Sequence, residues 1–526
     1  VLYPQEGHPL AHQLFKGHIA GIDASQVTIS LRARQFQSRH FDEQPQWNLE
    51  HDQYEGNFTA LYRNLIRFCG RDPGLRQLLL GRRAPARPVP GNGYPDWPEL
   101  TAQQQELLQA ILASPDYFLL WGPPGTGKTS IMLRRLVEHL LSRSSERLLL
   151  LAYTNRAVDE MCAALESLGE PWGRRYLRIG SVHSTAPAYR DRLLDTRLKD
   201  IHTRKALVEL IQGQRIILST AASLANKPEL FQLVQFDRLI VDEASQILEP
   251  TLIGLLAQVH RFVLIGDHKQ LPAVVVQPSS QSQVRDEELR ELGFTDARTS
   301  LFERLYRQCM QHGWHWAYGQ LSHQGRMHRE IMDFPNRHFY GQSLCILPED
   351  VPLQARQVMP LQEQSEHELG RILFQQRVLF LPTPSDHDLN RKTNAHEARL
   401  LARIAAFFAQ HCPDKSLGVI TPYRAQIAQL RQAFLQQELN PDAYTIDTVE
   451  RYQGGARDII LISLCTNSLS QLTSLVSLSD EGVDRKLNVA LTRARDHLVV
   501  VGNPDVLRTN PVYAAFVEEY GMQRWR

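Results

Sequence analysis

A glycine-rich turn stands between a predicted strand and a predicted helix at residues 117–130, YFLLWGPPGTGKTS. The apolar run 117–121 predicts a buried strand, and the following IMLRRLVEHLL repeats its apolar residues at helical spacing. Together they give the pattern GxxxxGK followed by Ser or Thr, in the strand–loop–helix setting of a phosphate loop. A chance glycine-rich loop is the alternative, and the flanking strand and helix argue against it.

The residue types in this loop are suited to binding a nucleoside triphosphate such as ATP. Glycine N–H groups converge on phosphate oxygens without hindrance from a Cβ atom, and a helix N-terminus favours an anion. Lys128 is predicted to reach the β- and γ-phosphates, and the Thr129 hydroxyl is predicted to bind Mg²⁺. The predicted nucleotide-binding residues are Gly122, Pro123, Pro124, Gly125, Thr126, Gly127, Lys128, Thr129 and Ser130.

Composition limits which classes of protein need to be considered. The 526 residues include 58 Lys and Arg against 57 Asp and Glu, so nucleic-acid binding cannot be inferred from net charge and requires a local basic channel. The six cysteines lack metal-ligand spacing and predict reduced thiols of a cytoplasmic protein, or of a nuclear one in a eukaryote. No apolar run is long enough to span a membrane, so no membrane partner is expected.

From residue 98 onward, predicted strands and helices alternate, which is typical of a doubly wound parallel sheet. We therefore predict an α/β chain with two tandem domains, at 98–315 and 316–526, the first with a helical insertion near 164–213. The predicted strands of the first domain are 117–121, 147–152, 215–219, 237–241 and 261–265, and those of the second are 371–381, 417–421, 458–464 and 497–501.

The first hundred residues have a different pattern. Residues 15–36 alternate apolar and polar side chains around a turn at 23–25, which predicts part of a small antiparallel barrel or sheet. Residues 57–81 predict two helices that are broken at Gly70–Pro73. The Pro/Gly-rich segment after them predicts a linker.

Two further predicted strands end in polar residues that complement a phosphate loop. FDRLIVDEASQ, residues 236–246, places Asp242 and Glu243 at a strand end, where α/β sheets bind ligands. Asp242 is predicted to hold Mg²⁺, and Glu243 is predicted to orient and deprotonate the attacking water. FVLIGDHKQLPAV, residues 262–274, places Gln270 where its amide can sense the γ-phosphate. Two surface acids after a strand are the alternative for the first motif.

Together these three motifs resemble the first motor domain of a superfamily 1 helicase, whose motifs read DEAxQ and GDxxQLPP. The resemblance covers residues 98–505 and includes AYTNRAVDEM, TPYRAQI and LNVALTRAR. These spellings are similar to the 5′-to-3′ branch, which includes the nonsense-mediated-decay RNA helicase family and the helicase half of the DNA-replication nuclease–helicase family. The branch implies two RecA-like motor domains after an N-terminal β-barrel on a helical stalk, here residues 1–55 and 56–97.

The resemblance assigns further residues to the nucleotide. Gln104 in LTAQQQELL matches the glutamine that reads adenine, and Gly454 lies in the QGG stretch of a nucleotide-binding motif. Arg326 in HQGRMH and Arg493 in LNVALTRAR match second-domain arginines that neutralise charge on the γ-phosphoryl group when the cleft closes. The predicted catalytic residues are thus Lys128, Glu243, Gln270, Arg326 and Arg493.

The resemblance also implies a path for nucleic acid and shows two departures from the family. The residues matched to strand-binding motifs are Thr154, Asn155, Ser219, Thr220, Pro422, Tyr423 and Thr448. The tyrosine of the family's QYRMH motif is Gly325 here, and the glutamate of its QGxE motif is Ala456. Because well-matched residues flank both positions, we expect altered nucleotide affinity rather than an inactive motor.

The expected function is an ATP- and Mg²⁺-dependent 5′-to-3′ translocase and helicase on single-stranded nucleic acid, with DNA favoured over RNA. A nuclease domain or partner upstream is a further expectation, since residues 1–97 hold no nuclease pattern. The alternative is an ATP-dependent nucleic-acid clamp or remodelling switch within a larger nuclease–helicase complex. A small-molecule kinase is a weaker alternative, because two finger arginines on a second domain argue against it.

Overall fold

The protein is described as a computed structural model, in which two compact units, residues 1–63 and 64–526, are considered separately. The described residues are 2–5, 14–23, 25–31, 39–43, 46–50, 56–89, 94–169, 175–275, 277, 279–348, 368–386, 392–452 and 455–521.

The described part of the N-terminal unit contains two small antiparallel sheets. Strand β1 (Leu2–Pro4) pairs with β4 (Trp47–Leu49), and β2 (Gly17–Ile22) pairs with β3 (Val27–Leu31). The predicted antiparallel pairing of the two strands on either side of residues 23–25 is thereby confirmed. The rings of Phe15 and Phe41 pack 4.8 Å apart between these elements. Within the described residues the two sheets stay separate, so the closed barrel remains a prediction.

The larger unit begins with the predicted helix pair and continues into a seven-stranded parallel sheet. The helices are Gly56–Cys69, which spans the unit boundary, and Pro73–Leu79. Asn64 Nδ2 donates to the carbonyl of Thr251 at 2.9 Å and so ties the first helix to the following domain. The strands of the sheet are β5 (Tyr117–Trp121), β6 (Leu148–Ala152), β7 (Leu177–Ile179), β8 (Ile216–Thr220), β9 (Arg238–Asp242), β10 (Arg261–Gly266) and β11 (Tyr318–Gln320).

The order of this first sheet is β11-β5-β10-β9-β6-β8-β7, with every pair parallel. Helices cover both faces of this sheet, so the side chains of β5, β6 and β8–β10 are mainly apolar. This explains why these strands appear as continuous apolar runs in the sequence. Two predicted boundaries need correction. Strand β11 belongs to this sheet although it lies beyond the predicted end at 315. The segment 164–213 contributes the edge strand β7 as well as short helices, so it is not a purely helical insertion.

The second domain holds a five-stranded parallel sheet of order β14-β18-β17-β15-β16. A two-stranded parallel pair, β12 (His323–Gln324) with β13 (Cys345–Ile346), precedes it. The first predicted strand, 371–381, is corrected: residues 368–373 are helical, and the strand begins at Val378. The strands are β14 (Val378–Pro382), β15 (Leu417–Thr421), β16 (Thr445–Thr448), β17 (Arg457–Ser463) and β18 (Ala494–Gly502).

Within the described ranges, no helix combines the length and apolar character needed to cross a membrane. Helices cover both parallel sheets. Those of the first domain are Ala102–Ala113, Lys128–Leu133 continuing as Arg134–Arg143, Asn155–Glu166, Leu194–Arg197, Arg204–Gln212, Ala221–Ala225, Leu230–Leu233, Glu249–Leu256, Ser279–Ser282, Glu287–Glu291 and Leu301–Gln311. Those of the second are Arg329–His338, Glu368–Leu373, Ala395–His411, Arg424–Gln436, Leu469–Leu475, Arg485–Leu491, Pro504–Leu507 and Pro511–Tyr520.

Candidate nucleotide cleft and strand-binding edge

A cavity of about 1050 Å³ opens between the two domains, at the carboxyl ends of the first sheet's central strands. The first domain contributes the loop Pro123–Ser130 with Glu243 and Gln270, and the second contributes Arg326 and Arg493. Residues more than 360 positions apart in the sequence therefore face one space. The cavity brings together all five predicted catalytic residues and most of the predicted phosphate loop.

The phosphate loop has the backbone that its glycines allow. Gly125 and Gly127 adopt φ of +77° and +79°, which side chains disfavour. A Cβ on Gly122 would lie 2.1 Å from Lys128 Cγ, so only glycine lets the lysine fold back over the loop. Lys128 Nζ donates to the Gly122 carbonyl at 2.5 Å. The loop thus holds its ammonium group over the cradle of backbone N–H groups.

The two acids at the end of β9 lie beside this loop. Thr129 Oγ1 donates to Asp242 Oδ2 at 2.5 Å, so the two predicted Mg²⁺ ligands are adjacent. Burial and the neighbouring carboxylate of Glu243 raise the pKa of Asp242 to about 6, while Thr129 and Lys128 oppose the shift. Glu243 has φ of +54°, a strained conformation for a residue with a side chain. Its Oε2 accepts from Gln246 Nε2 at 2.7 Å.

The second-domain arginines contact first-domain groups directly. Arg493 Nη2 donates to Gln270 Oε1 at 2.8 Å, and burial lowers the pKa of Arg493 to about 9. Gly325 N donates to the Gly125 carbonyl at 3.0 Å, which brings Arg326 against the phosphate loop. A Cβ on Gly125 would lie 2.6 Å from Arg326 Cβ. The arrangement is therefore that of a closed cleft.

Glu160 is a cavity residue that sequence reasoning missed. It lies on the helix Asn155–Glu166, pairs with Arg156 at 3.5 Å and faces the nucleotide cavity. Burial raises the pKa of its carboxyl to about 7, Arg156 lowers it, and the charges of Asp242 and Glu243 raise it further. Its position one turn after Arg156 is a local helical signal, but only the fold places that turn beside the phosphate loop.

Gln104 lies outside the set of residues that line the cavity. Its Oε1 accepts from Thr101 N at 3.1 Å, and its backbone N donates to Thr101 Oγ1, which makes a capping box at the start of the helix Ala102–Ala113. The side chain is buried, and within the described residues no atom accepts from its Nε2. A buried amide donor without a partner is suited to an adenine ring nitrogen.

The predicted strand-binding residues lie where strands of both sheets end. Thr154 and Thr220 cap helices that follow β6 and β8, where their hydroxyl oxygens accept from the backbone N–H groups of Ala157 and Ser223. Ser219 is fully buried and donates to the Thr220 carbonyl. The side chain of Ser219 is therefore enclosed within the protein and is not exposed at this edge of the sheet.

In the second domain the equivalent edge is formed by the ends of β15 and β16. Pro422 and Tyr423 follow β15, and the Tyr423 ring lies 5.5 Å below the ammonium group of Lys392. Thr448 ends β16 and is buried. Asn155 starts a first-domain helix, where its carbonyl accepts from Arg178. Gly454 lies outside the described residues.

The fold and the cleft define a class of protein: an ATPase of the phosphate-loop type in which arginines from a second parallel-sheet domain face the phosphate loop across the cleft. Comparisons with known families agree with this class. One family model described as an AAA domain matches residues 297–505, and another described in the same words matches residues 99–207 and 194–278. The chain belongs to the superfamily 1 helicases.

Its curated relatives include large replication proteins. The chain is 30% identical over 483 residues to the DNA replication ATP-dependent helicase/nuclease JHS1 of Arabidopsis thaliana, covering 89% of this chain and 34% of that protein. It is 30% identical over 426 residues to DNA replication ATP-dependent helicase/nuclease DNA2 of Homo sapiens, covering 77% and 37%. The chain thus spans about a third of the length of these relatives.

Among solved structures, the complex of Arterivirus nonstructural protein 10 (helicase) with DNA matches with a TM-score of 0.38 and 15% identity, over 76% of this chain and 62% of that one.

Proposed function

We propose that this chain is an ATP-driven translocase and helicase that moves 5′ to 3′ along single-stranded nucleic acid, with DNA favoured over RNA. The observation that carries the proposal is the cleft in which Arg326 and Arg493 of the second domain face Lys128 and Glu243 of the first. Hydrolysis in such a cleft depends on closure between domains, so each ATP is tied to one cycle of domain movement. The names of the curated relatives favour DNA as the track.

The residues present fit a magnesium ion. Thr129 and Asp242 offer hard oxygen ligands 2.5 Å apart, the donor type that Mg²⁺ prefers. When bound, the ion would neutralise charge on the phosphate oxygens. The other steps are carried out by the chain's own groups, and Lys128 holds the phosphates. Glu243 takes a proton from the attacking water. The oxygen of that water bonds to the γ-phosphorus while the bond from the γ-phosphorus to the β–γ bridging oxygen breaks.

The strand is proposed to run along the carboxyl edges of both sheets. Helix starts after β6, β8 and β15 present backbone N–H groups there, and such groups bind phosphates without reading bases. Tyr423 and Lys392 supply an aromatic ring and a charge on the second domain. A β-barrel in residues 1–55 would guide the strand, and an upstream nuclease domain or partner would supply a nuclease activity.

The test is unwinding of matched duplexes that carry either a 5′ or a 3′ single-stranded tail, in DNA and in RNA versions. Unwinding from the 5′ tail alone, faster on DNA, is expected of the wild type. Lys128→Ala and Glu243→Gln are expected to abolish strand-stimulated ATP hydrolysis, because they remove the phosphate ligand and the base. Strand-stimulated ATPase without unwinding from either tail would favour the clamp or remodelling switch. Turnover retained in both variants would contradict the mechanism.

A further inference from the structure

A buried carboxylate lies directly behind the nucleotide cavity, at a position that no predicted role uses. Asp267 follows β10 and is fully shielded from solvent. Its Oδ1 accepts from Trp121 Nε1 at 2.9 Å and from Lys269 N at 3.1 Å. Its Oδ2 accepts from Gln270 Nε2 at 2.6 Å and from Tyr340 OH at 2.8 Å. Four donors therefore surround this carboxylate.

The contact with Asp267 determines which way the amide of Gln270 points. An ionised carboxylate only accepts hydrogen bonds, and the guanidinium of Arg493 only donates them. Gln270 lies between these two groups, so its Nε2 must face Asp267 and its Oε1 must face Arg493 and the cleft. In the opposite orientation the Gln270 amide nitrogen would face the Arg493 guanidinium, donor against donor. Its amide oxygen would face the Asp267 carboxylate, acceptor against acceptor.

Tyr340 brings the second domain into this arrangement. It follows the helix Arg329–His338 and accepts from Asn488 Nδ2 at 2.9 Å, and both residues belong to the second domain. Asn488 Nδ2 also donates to the carbonyl of Lys269 in the first domain at 2.7 Å. Tyr340 is 3% exposed, so water does not compete for its hydroxyl. Together with the Arg493 contact to Gln270, three hydrogen bonds thus cross between the domains within three residues of Gln270.

We propose that Asp267 and Tyr340 act as a positioning pair that orients Gln270 only when the two domains are closed. This inference rests on the proposed ATP-driven function and goes beyond it, because it names how closure is communicated to the cleft. When the second domain moves away, Asp267 loses the Tyr340 hydroxyl and Gln270 Oε1 loses Arg493. The amide is then held at one end only and can rotate, so hydrolysis is suppressed in the open state.

Tyr340→Phe tests the pair, because it removes one hydroxyl and keeps the ring. The matched control is Tyr513→Phe: Tyr513 is equally buried, and its hydroxyl donates to Asp484 at 3.1 Å, but both residues lie in the second domain. We expect the first variant to lower kcat of strand-stimulated ATP hydrolysis about tenfold, with KM for ATP within about twofold, as loss of one hydrogen bond to a charged group implies. The control is expected to keep the wild-type kcat at a similar melting temperature.

Asp267→Ala is the second variant. It removes the acceptor of both Gln270 Nε2 and Tyr340 OH, so kcat is expected to fall by more than in Tyr340→Phe, and the double variant is expected to match Asp267→Ala alone. Equal kcat values in Tyr340→Phe and Tyr513→Phe would contradict the positioning role of Asp267 and Tyr340. Additive losses of kcat in the double variant would contradict it as well. A wild type that hydrolyses ATP but does not unwind would refute the proposed helicase while leaving this comparison of kcat values decisive.

Discussion

The ion pair between Glu303 and Arg485 offers a direct test of domain closure. Glu303 lies on the first-domain helix Leu301–Gln311, and Arg485 starts the second-domain helix Arg485–Leu491. Arg485 Nη2 donates to both carboxylate oxygens of Glu303 at 2.9 Å, and both side chains are buried. Arg307 also donates to Glu303, at 2.6 Å, and to Asp480 of the second domain at 2.9 Å. Glu303 and Arg307 thus each make an ion pair that joins the two domains. These two ion pairs exist only while the cleft is closed.

Glu303→Gln keeps the shape of the side chain and removes its charge. Hydrogen bonds to charged groups contribute about 1.5–3 kcal/mol each, so the variant is expected to weaken closure by roughly that amount. The ratio of closed to open cleft then falls roughly tenfold to a hundredfold. Because the role proposed for Arg326 and Arg493 requires the closed state, kcat/KM for ATP is expected to fall by the same factor.

The control is a buried pair of the same chemistry within one domain. Glu249 accepts from Arg304 at 2.6 Å and 2.9 Å, and both residues belong to the first domain. Glu249→Gln is expected to lower the melting temperature while kcat/KM stays within about threefold of wild type. Steady-state ATP titrations with saturating single-stranded DNA, together with thermal melts, measure both quantities. Equal kcat/KM in Glu303→Gln and wild type would refute the reasoning.

Three further predictions follow from single positions. Gly125→Ala is expected to abolish ATP turnover while each domain stays folded, because the added Cβ meets Arg326 in a left-handed turn; circular dichroism and ATPase assays check it. Gln104→Ala is expected to remove a preference for ATP over GTP, and equal turnover of ATP and GTP by the wild type would contradict the adenine role. Burial raises the pKa of Glu397 from 4.5 to about 7, so its contribution to stability is present below pH 4.5 and is lost as the pH rises through 7. Glu397→Gln should therefore gain stability relative to wild type between pH 5 and pH 8 in thermal melts.

The sequence predicted the strands and the phosphate-binding residues at their ends, because each of these features is specified by a short continuous segment of the chain. A buried parallel strand is a short apolar run, and the turn after it must carry the glycines, hydroxyls and carboxylates that meet a phosphate. The phosphate loop, Asp242 and Glu243 are such signals: the loop and Glu243 line one cavity, and Asp242 accepts a hydrogen bond from Thr129 of that loop. Their roles in hydrolysis remain predictions.

Tertiary structure decided everything that joins distant segments. The sequence alone assigned residues 316–320 to the second domain, yet β11 of this segment pairs with β5 of the first sheet. Any strand of suitable length can pair with the free backbone groups at the edge of a parallel sheet. Ser219 matches a strand-binding motif, but its place inside the sheet buries it. Likewise, the roles of Asp267 and Tyr340 depend on a hydrogen bond between residues 73 positions apart. No local pattern encodes such a bond, because it exists only once two separately folded sheets face each other.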